Sequence, residues 1–304
     1  MHIESGLCAE HIFSFLTQTH IELLKDFFEF DGTLTRYCSV TEKSVDICSF
    51  EYIVAPFSRP IWIPSVLQLG CRLKHLDISG IYTDVSLDCL KDCPLTFLDL
   101  SESLISDLSS LAKCPLQTLN IPNSRVKNLD ALQSMPLTRL DLHWNIHIAC
   151  LEPIKNCPIT YLDLYNAPSI RELPQFSCLT YLDLSSNLKI KSIEPLSKCP
   201  LMFLSLMVNH EISSLKGLEN CPIEFLDLSS NDKIDTLEPL SACTTLRYLN
   251  LQNTELIKSV QSLQNCSQLT FLDLSRCEIA DLSPLRHSTE LFTKENVLLL
   301  KKNT

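Results

Sequence analysis

The sequence predicts a repeat solenoid of the α/β class, in which short parallel strands stack side by side and return segments cross behind them. This prediction rests on three observations: the number of copies of one short pattern, their regular spacing, and the small polar residue that often follows them. The pattern L-x-x-L-x-L, with Ile allowed, occurs ten times at intervals of 20 to 23 residues, and a small polar residue often follows. Self-similarity at this period indicates stacked units that share one continuous core. The pattern begins at Leu73, Leu95, Leu116, Leu137, Ile159, Leu179, Leu201, Ile223, Leu246 and Leu269.

Each copy predicts one short strand followed by a turn. In the copy 223–231, alternation along a strand points Leu226 and Leu228 inward, while Phe225 and Asp227 face outward on the concave side. Asn231 then turns the chain, because its amide bonds backbone groups that the bend leaves unpaired. Asn145, Asn187 and Asn209 take the same position, and Ser103, Ser124, Thr254 and Cys277 replace it elsewhere.

The return segments are predicted to be 3₁₀ turns or extended chain. Roughly 12 residues remain for each, too few for an α-helix with two loops. Prolines inside these segments also oppose an α-helix. They are Pro153, Pro195, Pro239 and Pro284. Ten parallel strands spaced by about 4.8 Å would form an arc roughly 45 Å long.

Three regions are expected along the chain. Residues 1–68 carry no repeat, and their apolar spacing predicts a partly helical N-terminal cap, with a strand possible within 49–54. Residues 69–290 form the solenoid of about ten repeats. Residues 291–304 form a C-terminal cap or tail, as terminal repeats are atypical.

Composition predicts a soluble protein of a reducing, cytoplasmic compartment. The chain has 304 residues, a net charge of −11 and 15 cysteines. The acidic balance disfavours nucleic acid and favours a basic partner. No apolar run is long enough to cross a membrane, and the N-terminus lacks the features of a secretory signal. Most cysteines recur in repeat register without any C-x-x-C pair, so we expect buried thiols and no metal or other cofactor.

These repeats resemble the leucine-rich repeat family, in its 22-residue class. That class is typified by internalins and by a regulatory subunit of protein phosphatase 1. The pieces 192–196 (S-I-E-P-L) and 281–285 (D-L-S-P-L) are similar to internalin repeats. The resemblance implies a protein-binding module. It leaves two finer alternatives: a bacterial effector acting in the host cytosol, and a phosphatase-regulator-like scaffold.

The N-terminal piece 7–16 (L-C-A-E-H-I-F-S-F-L) resembles the start of an F-box. This resemblance implies a substrate receptor of a cullin ubiquitin ligase. Ile12, Phe13 and Leu16 would then face the Skp-type adaptor. The piece departs from the F-box pattern at Cys8, which replaces a proline, and no V-C-x-x-W segment follows.

The outward strand positions form two columns that are candidates for partner binding. The aromatic column includes Tyr161, Tyr181, Phe203 and Phe225, and the acidic column includes Asp163 and Asp183. Exposed aromatic residues favour recognition, whereas identical residues on neighbouring strands also stabilise a sheet. Carboxylates on adjacent strands repel, so the acidic column predicts either a basic partner or hydrogen bonds to the local backbone.

Departures from the repeat single out the middle of the chain. The two positions after the strand, often serine elsewhere, become His143-Trp144, Tyr165-Asn166 and Met207-Val208. A Trp, a Tyr and a Met at one edge predict a binding hot spot. The alternative is that these side chains pack on each other or on the N-terminal region.

No motif predicts catalysis. The chain lacks G-x-S-x-G, a P-loop and H-E-x-x-H, so we expect no enzyme. His143 and His147 are separated by a predicted turn and are not expected to share a face. A nucleophile within residues 1–68, Cys38 or Cys48 with His20, is the remaining enzymatic alternative.

Overall fold

The computed structural model describes residues 52–54, 74–80 and 86–285. In these residues the chain forms one sheet of eleven parallel strands whose spatial order follows the order along the chain. Each strand has three residues. The strands are β1 Tyr52–Val54, β2 His75–Asp77, β3 Phe97–Asp99, β4 Thr118–Asn120, β5 Arg139–Asp141, β6 Tyr161–Asp163, β7 Tyr181–Asp183, β8 Phe203–Ser205, β9 Phe225–Asp227, β10 Tyr248–Asn250 and β11 Phe271–Asp273.

The ten predicted strands are confirmed as β2 to β11. An eleventh, β1, precedes them and pairs with β2 through Tyr52 opposite His75. It lies within the segment 49–54, where the sequence allows a strand without the full leucine pattern. The sheet thus extends one strand further toward the N-terminus than the repeat motif alone predicts.

Register is conserved from strand to strand, so equivalent residues form straight columns across the sheet. The central leucine of each strand from β2 to β11 is buried, and the residues beside it are mostly half-buried. The buried leucines form one face of a continuous core. The other face comes from the return segments, for example Ile234, Leu237 and Leu240.

The return segments contain short 3₁₀ helices, as the period predicts, and no α-helix occurs in the described residues. The 3₁₀ helices are Asp88–Leu90, Ser109–Leu111, Asp130–Leu132, Glu152–Ile154, Glu194–Leu196, Glu238–Leu240, Gln261–Asn265 and Ser283–Leu285. Pro153, Pro195 and Pro239 lie in their first turn, where a missing N–H costs nothing.

The repeat between β8 and β9 has no 3₁₀ helix, and neither does the shortest repeat, between β6 and β7. Its return segment spans two residues fewer than its neighbours and lacks the cysteine that they bury. Phe176 is 2% exposed and is the largest of the fully buried side chains.

The four predicted asparagines, Asn145, Asn187, Asn209 and Asn231, are buried at the turns after their strands. The Asn231 amide donates to the carbonyls of Leu206 and Leu228, at 2.8 and 2.7 Å, and Asn145 bonds Ile121 and Leu142 in the same way. These bonds satisfy carbonyls from two successive repeats. The residue before this position has a left-handed backbone in nearly every repeat.

Ten of the cysteines in the described residues carry free thiols, and seven of these ten are buried. Several donate to carbonyls of the preceding repeat, as Cys114 does to Leu90 and Cys157 to Leu132, both at 3.3 Å. Among the described residues, no helix is long and apolar enough to span a membrane. The rest of the predicted cap 1–68 beyond β1, with the predicted adaptor-binding residues Ile12, Phe13 and Leu16, lies outside the described residues, as does the tail 291–304.

Candidate partner-binding surface

The aromatic column is a continuous stack of rings. From Tyr161 to Phe271, six rings on consecutive strands lie nearly parallel, with centroids 4.2 to 4.4 Å apart. Each inner ring has both faces covered by its neighbours, so only ring edges reach the concave surface. This geometry supports the scaffold interpretation of the column, and it leaves the edges as the part that a partner can touch.

A cation ends the stack on its N-terminal side. The guanidinium of Arg139 lies over the Tyr161 ring, 3.5 Å from the centroid. This is a cation–π contact, and it covers the Tyr161 ring face that the stack leaves open at this end. Burial, followed by the neighbouring carboxylates, raises the pKa of both Tyr161 and Tyr181, so both hydroxyls stay protonated and can donate hydrogen bonds.

The acidic column bonds the local backbone. In each aspartate of the column, one carboxylate oxygen accepts the N–H of the residue two positions later, at 2.7 to 3.1 Å. The seven aspartates are Asp77, Asp99, Asp141, Asp163, Asp183, Asp227 and Asp273. The aspartates thus shape the turn after the strand, which is one of the two alternatives that the sequence leaves open. Asp99 and Asp227 gain a second partner in the amide of the adjacent asparagine, Asn120 and Asn250.

Charge accumulates at the middle of this column. Asp141, Asp163 and Asp183 are register neighbours on β5, β6 and β7, with no asparagine between them. Burial, then Asp141 and Asp183, raises the pKa of the Asp163 carboxyl to about 6, against the opposing Tyr165 N–H bond. The concave face is therefore most strongly acidic beside the residues that depart from the repeat.

The predicted hot spot lies along the edge that follows these strands. Trp144 is 48% exposed, and its ring meets Tyr165 edge-on at a centroid distance of 5.8 Å. Backbone hydrogen bonds align Trp144 with Tyr165 and Ser186 with Met207 on successive strands. The small Ser185 and Ser186 separate Tyr165 from Met207. Trp144 and Tyr165 thus contact each other while the indole keeps half its surface in water.

Two residues of this edge were missed by the sequence analysis. Ile146 and Leu188 are 52% and 47% exposed, and each directly follows a buried asparagine. The equivalent positions in later repeats are His210, Asp232 and Glu255. The signal was therefore present as a change from polar to apolar at one repeat position. We call the set Trp144, Ile146, Tyr165, Leu188, Met207 and Val208 the edge patch.

The backbone of the edge patch is unusual. Trp144 and Val208 have φ values of 60° and 59°, at a position where other repeats place Asn, Ser, Glu, Arg or Gly. A β-branched residue in this left-handed region is strained, at a cost of about 1–3 kcal/mol. Val208 therefore lowers the stability of its own turn while adding apolar surface to the edge patch.

Beside the edge patch, one cluster has the side chains that metal ions prefer. Within the described residues, Asp141, His143 and Asp163 are the group that can place one ligand atom each within 4.8 Å of the others. The His143 Nδ1 lies 2.7 Å from Asp141 Oδ1. The sequence analysis named His143 and Asp163 as partner-binding residues and did not connect them as metal ligands.

Comparison with known proteins agrees with this geometry. The profile of the Leucine Rich repeats family, which spans two copies of the repeat, matches residues 244–287. No curated protein sequence matches the chain. The repeats within residues 244–287 thus match leucine-rich repeats, and the resemblance seen in the sequence is confirmed there.

Two solved structures of Listeria monocytogenes are similar in fold. The crystal structure of an internalin, InlF, is 20% identical, covers 92% of this chain and 82% of its own, and superposes with a TM-score of 0.76. The functional domain of InlJ, which includes a cysteine ladder, is 19% identical, covers 89% and 70%, and has a TM-score of 0.59. These two structures thus share the solenoid fold of this chain.

Proposed function

We propose that this chain binds a partner protein through the edge patch and the adjoining acidic part of the concave face. The observation that carries the proposal is the exposed apolar surface of Trp144, Ile146 and Leu188 along one edge of the sheet. Exposed apolar patches of this kind mark interaction sites. A tryptophan beside a tyrosine is typical of a binding hot spot.

The partner that fits this surface has a basic rim around an apolar centre. Asp141, Asp163 and Asp183 line the concave side of the edge patch, and the whole chain carries a net charge of −11. Complementary charge would steer a basic partner and fix its orientation. Tyr161, Tyr181, Phe203 and Phe225 would contribute ring edges and hydroxyls to the same contact.

The proposal is tested with the full chain as bait in cytosolic extract, followed by titration of each recovered protein. We expect Trp144→Ala combined with Tyr165→Ala to weaken binding at least about a hundredfold, as loss of two hot-spot residues does. Leu256→Ala is the matched control. Leu256 is 49% exposed but follows β10, about 24 Å from Trp144 at normal strand spacing.

An unchanged Kd for the double variant, with an intact circular dichroism spectrum, would reject the edge patch as the binding site. The basic character of the partner is tested separately by salt. Affinity should fall steadily as ionic strength rises, because exposed charge pairs are screened. Salt-independent binding would contradict the electrostatic part of the proposal.

The finer roles are separated by the identity of the partner and by a second variant. In a ubiquitin-ligase receptor, Ile12→Ala with Phe13→Ala would lose the Skp-type adaptor while keeping the edge-patch partner. In a phosphatase-regulator-like scaffold, the edge patch would hold a phosphatase. In a bacterial effector, it would hold a host protein. We further propose a cytoplasmic, reducing location, which the ten free thiols support.

A further inference from the structure

A second site lies on the concave face beside Trp144, and its chemistry differs from that of the edge patch. Asp141 and Asp163 occupy equivalent positions on β5 and β6, directly opposite each other in register. His143 follows Asp141 by two residues. The three side chains are each half-buried and can bring one ligand atom apiece within 4.8 Å of the others. A metal ion with bonds of about 2.0–2.2 Å can reach all three after small side-chain rotations.

The imidazole distinguishes this cluster from the rest of the acidic column. The position of His143 is Ser101, Ser185, Ser229 or Ser275 in other repeats, where the side chain offers only a hydroxyl. Within the described part of the chain, this group is the one in which a nitrogen ligand meets two carboxylates. The combination favours late transition metals over Mg²⁺ or Ca²⁺, which prefer oxygen alone.

The carboxylates are held ready by the backbone. Asp141 Oδ1 accepts the His143 N–H at 3.1 Å, and Asp163 Oδ1 accepts the Tyr165 N–H at 2.9 Å. These bonds hold both carboxylates in fixed orientations. Hydrogen bonds to ligating groups commonly tune metal sites in this way.

Charge also favours a cation here. Asp141, Asp163 and Asp183 stand on three consecutive strands, and the His143 imidazole at 2.7 Å from Asp141 is the nearest basic group on that side. The other cationic side chain of this face, Arg139, lies over the Tyr161 ring. A bound divalent ion would relieve the repulsion among the carboxylates.

We propose that Asp141, His143 and Asp163 bind a divalent transition-metal ion of the Zn²⁺ class on the concave face. Three protein ligands leave one position of a tetrahedral ion for water or for a side chain of a partner. The proposal does not rest on partner binding, because metal binding is measured on the protein alone.

The test is calorimetric titration of chelator-treated full-length protein with ZnCl₂, with MgCl₂ as the comparison ion. We expect one Zn²⁺ site of this kind, whose affinity His143→Ala lowers at least about tenfold. Loss of a group that only supports a metal ligand already costs that much, and His143 would be a ligand itself. His210→Ala is the matched control, since His210 pairs with Asp232 alone, at 3.3 Å. All variants keep every cysteine, so zinc bound by thiols is common to them and cancels in the comparison.

Two further measurements keep the test decisive. Asp163→Asn keeps an acceptor for the Tyr165 N–H and should also weaken the site, which guards against misfolding of the histidine variant. In a Trp62→Phe background, Co²⁺ should quench the remaining Trp144, and His143→Ala should abolish the quenching. Equal Zn²⁺ stoichiometry and affinity in wild type, His143→Ala and Asp163→Asn would overturn the proposal, as would equally tight binding of Mg²⁺.

Discussion

At the scale of single residues, the buried asparagines decide how each repeat turns. A bend after every strand leaves two carbonyls in the core, and an unpaired buried carbonyl is costly. One amide group donates to both, as Asn231 does to Leu206 and Leu228. Its Oδ1 also accepts the Asn209 N–H, at 3.2 Å, so successive asparagines are coupled.

Asn231→Ala should therefore destabilise the protein by about 2–4 kcal/mol, since it leaves two carbonyls and one N–H without partners in the core. Urea denaturation followed by circular dichroism measures the free energy of unfolding. Asn220→Ala, at an exposed position of the neighbouring return segment, is the control and should change it by less than about 0.5 kcal/mol. Equal effects at the two positions would contradict this role of the amide.

A second prediction at this scale concerns Asp163. Its carboxyl has a raised pKa in the folded protein, about 6, mainly through burial. The folded state therefore holds this proton more tightly than the unfolded state. Protonation of Asp163 thus stabilises the folded state below the ordinary carboxyl pKa, and this stabilisation is lost as the pH rises through about 6.

Asp163→Asn removes the charge and keeps the acceptor for the Tyr165 N–H, as Asn250 does for Gln252. The variant should melt at a higher temperature than wild type, and the difference should widen from about pH 4 to about pH 7. Thermal unfolding with chelator present measures it. Asp273→Asn is the control, because its strand neighbour is the uncharged Asn250. A difference that shrinks with rising pH would refute the assignment.

At the scale of elements, strands of three residues are too short to hold a sheet through backbone bonds alone. The side chains on both faces add the rest: buried leucines on the inner face, and stacked rings and paired polar groups on the outer face. Because the register is constant, equivalent outward residues of neighbouring strands lie side by side, one strand spacing apart. Aromatic rings at this spacing stack face to face.

Phe203→Ala interrupts the ring stack at β8, where Phe203 contacts Tyr181 and Phe225 at 4.2 and 4.3 Å. We expect a loss of about 2–3 kcal/mol in the free energy of unfolding, from lost apolar burial and two lost ring contacts. Phe203→Leu keeps most of the apolar surface and should recover part of the loss. Unchanged stability with weakened partner binding would instead assign the ring to recognition.

At the scale of the whole molecule, each repeat contacts only its neighbours along the chain. The hydrophobic core is therefore long and narrow. Seven buried cysteines form part of this core, each a few residues before a strand. Burial raises the pKa of Cys243 to about 12 and that of Cys266 to about 11. Thiols that stay protonated and inaccessible are poor nucleophiles.

Alkylation under native conditions should therefore modify the exposed Cys150 well before the buried Cys93, Cys114, Cys157, Cys199, Cys221, Cys243 and Cys266. These seven should react only on unfolding, at rates that rise together when denaturant is added. Peptide mapping by mass spectrometry gives the rate at each thiol. Reaction of the buried cysteines at the rate of Cys150 in the native protein would contradict the packing described.

The sequence by itself determined the repeat, the strand positions, the turn asparagines and the 3₁₀ character of the return segments. It could do so because each depends on spacing and residue type within one repeat. It also placed Trp144 and Tyr165 at one edge, since departures from a regular pattern are visible in the pattern itself.

Only the tertiary structure decided how the outer columns are used. It stacked the aromatic rings against one another, turned the aspartates onto the local backbone, and left Ile146 and Leu188 exposed beside Trp144. It also brought Asp163 next to Asp141 and His143, which are 22 and 20 residues away along the chain. These outcomes depend on distances between repeats, and such distances exist only once the repeats have stacked.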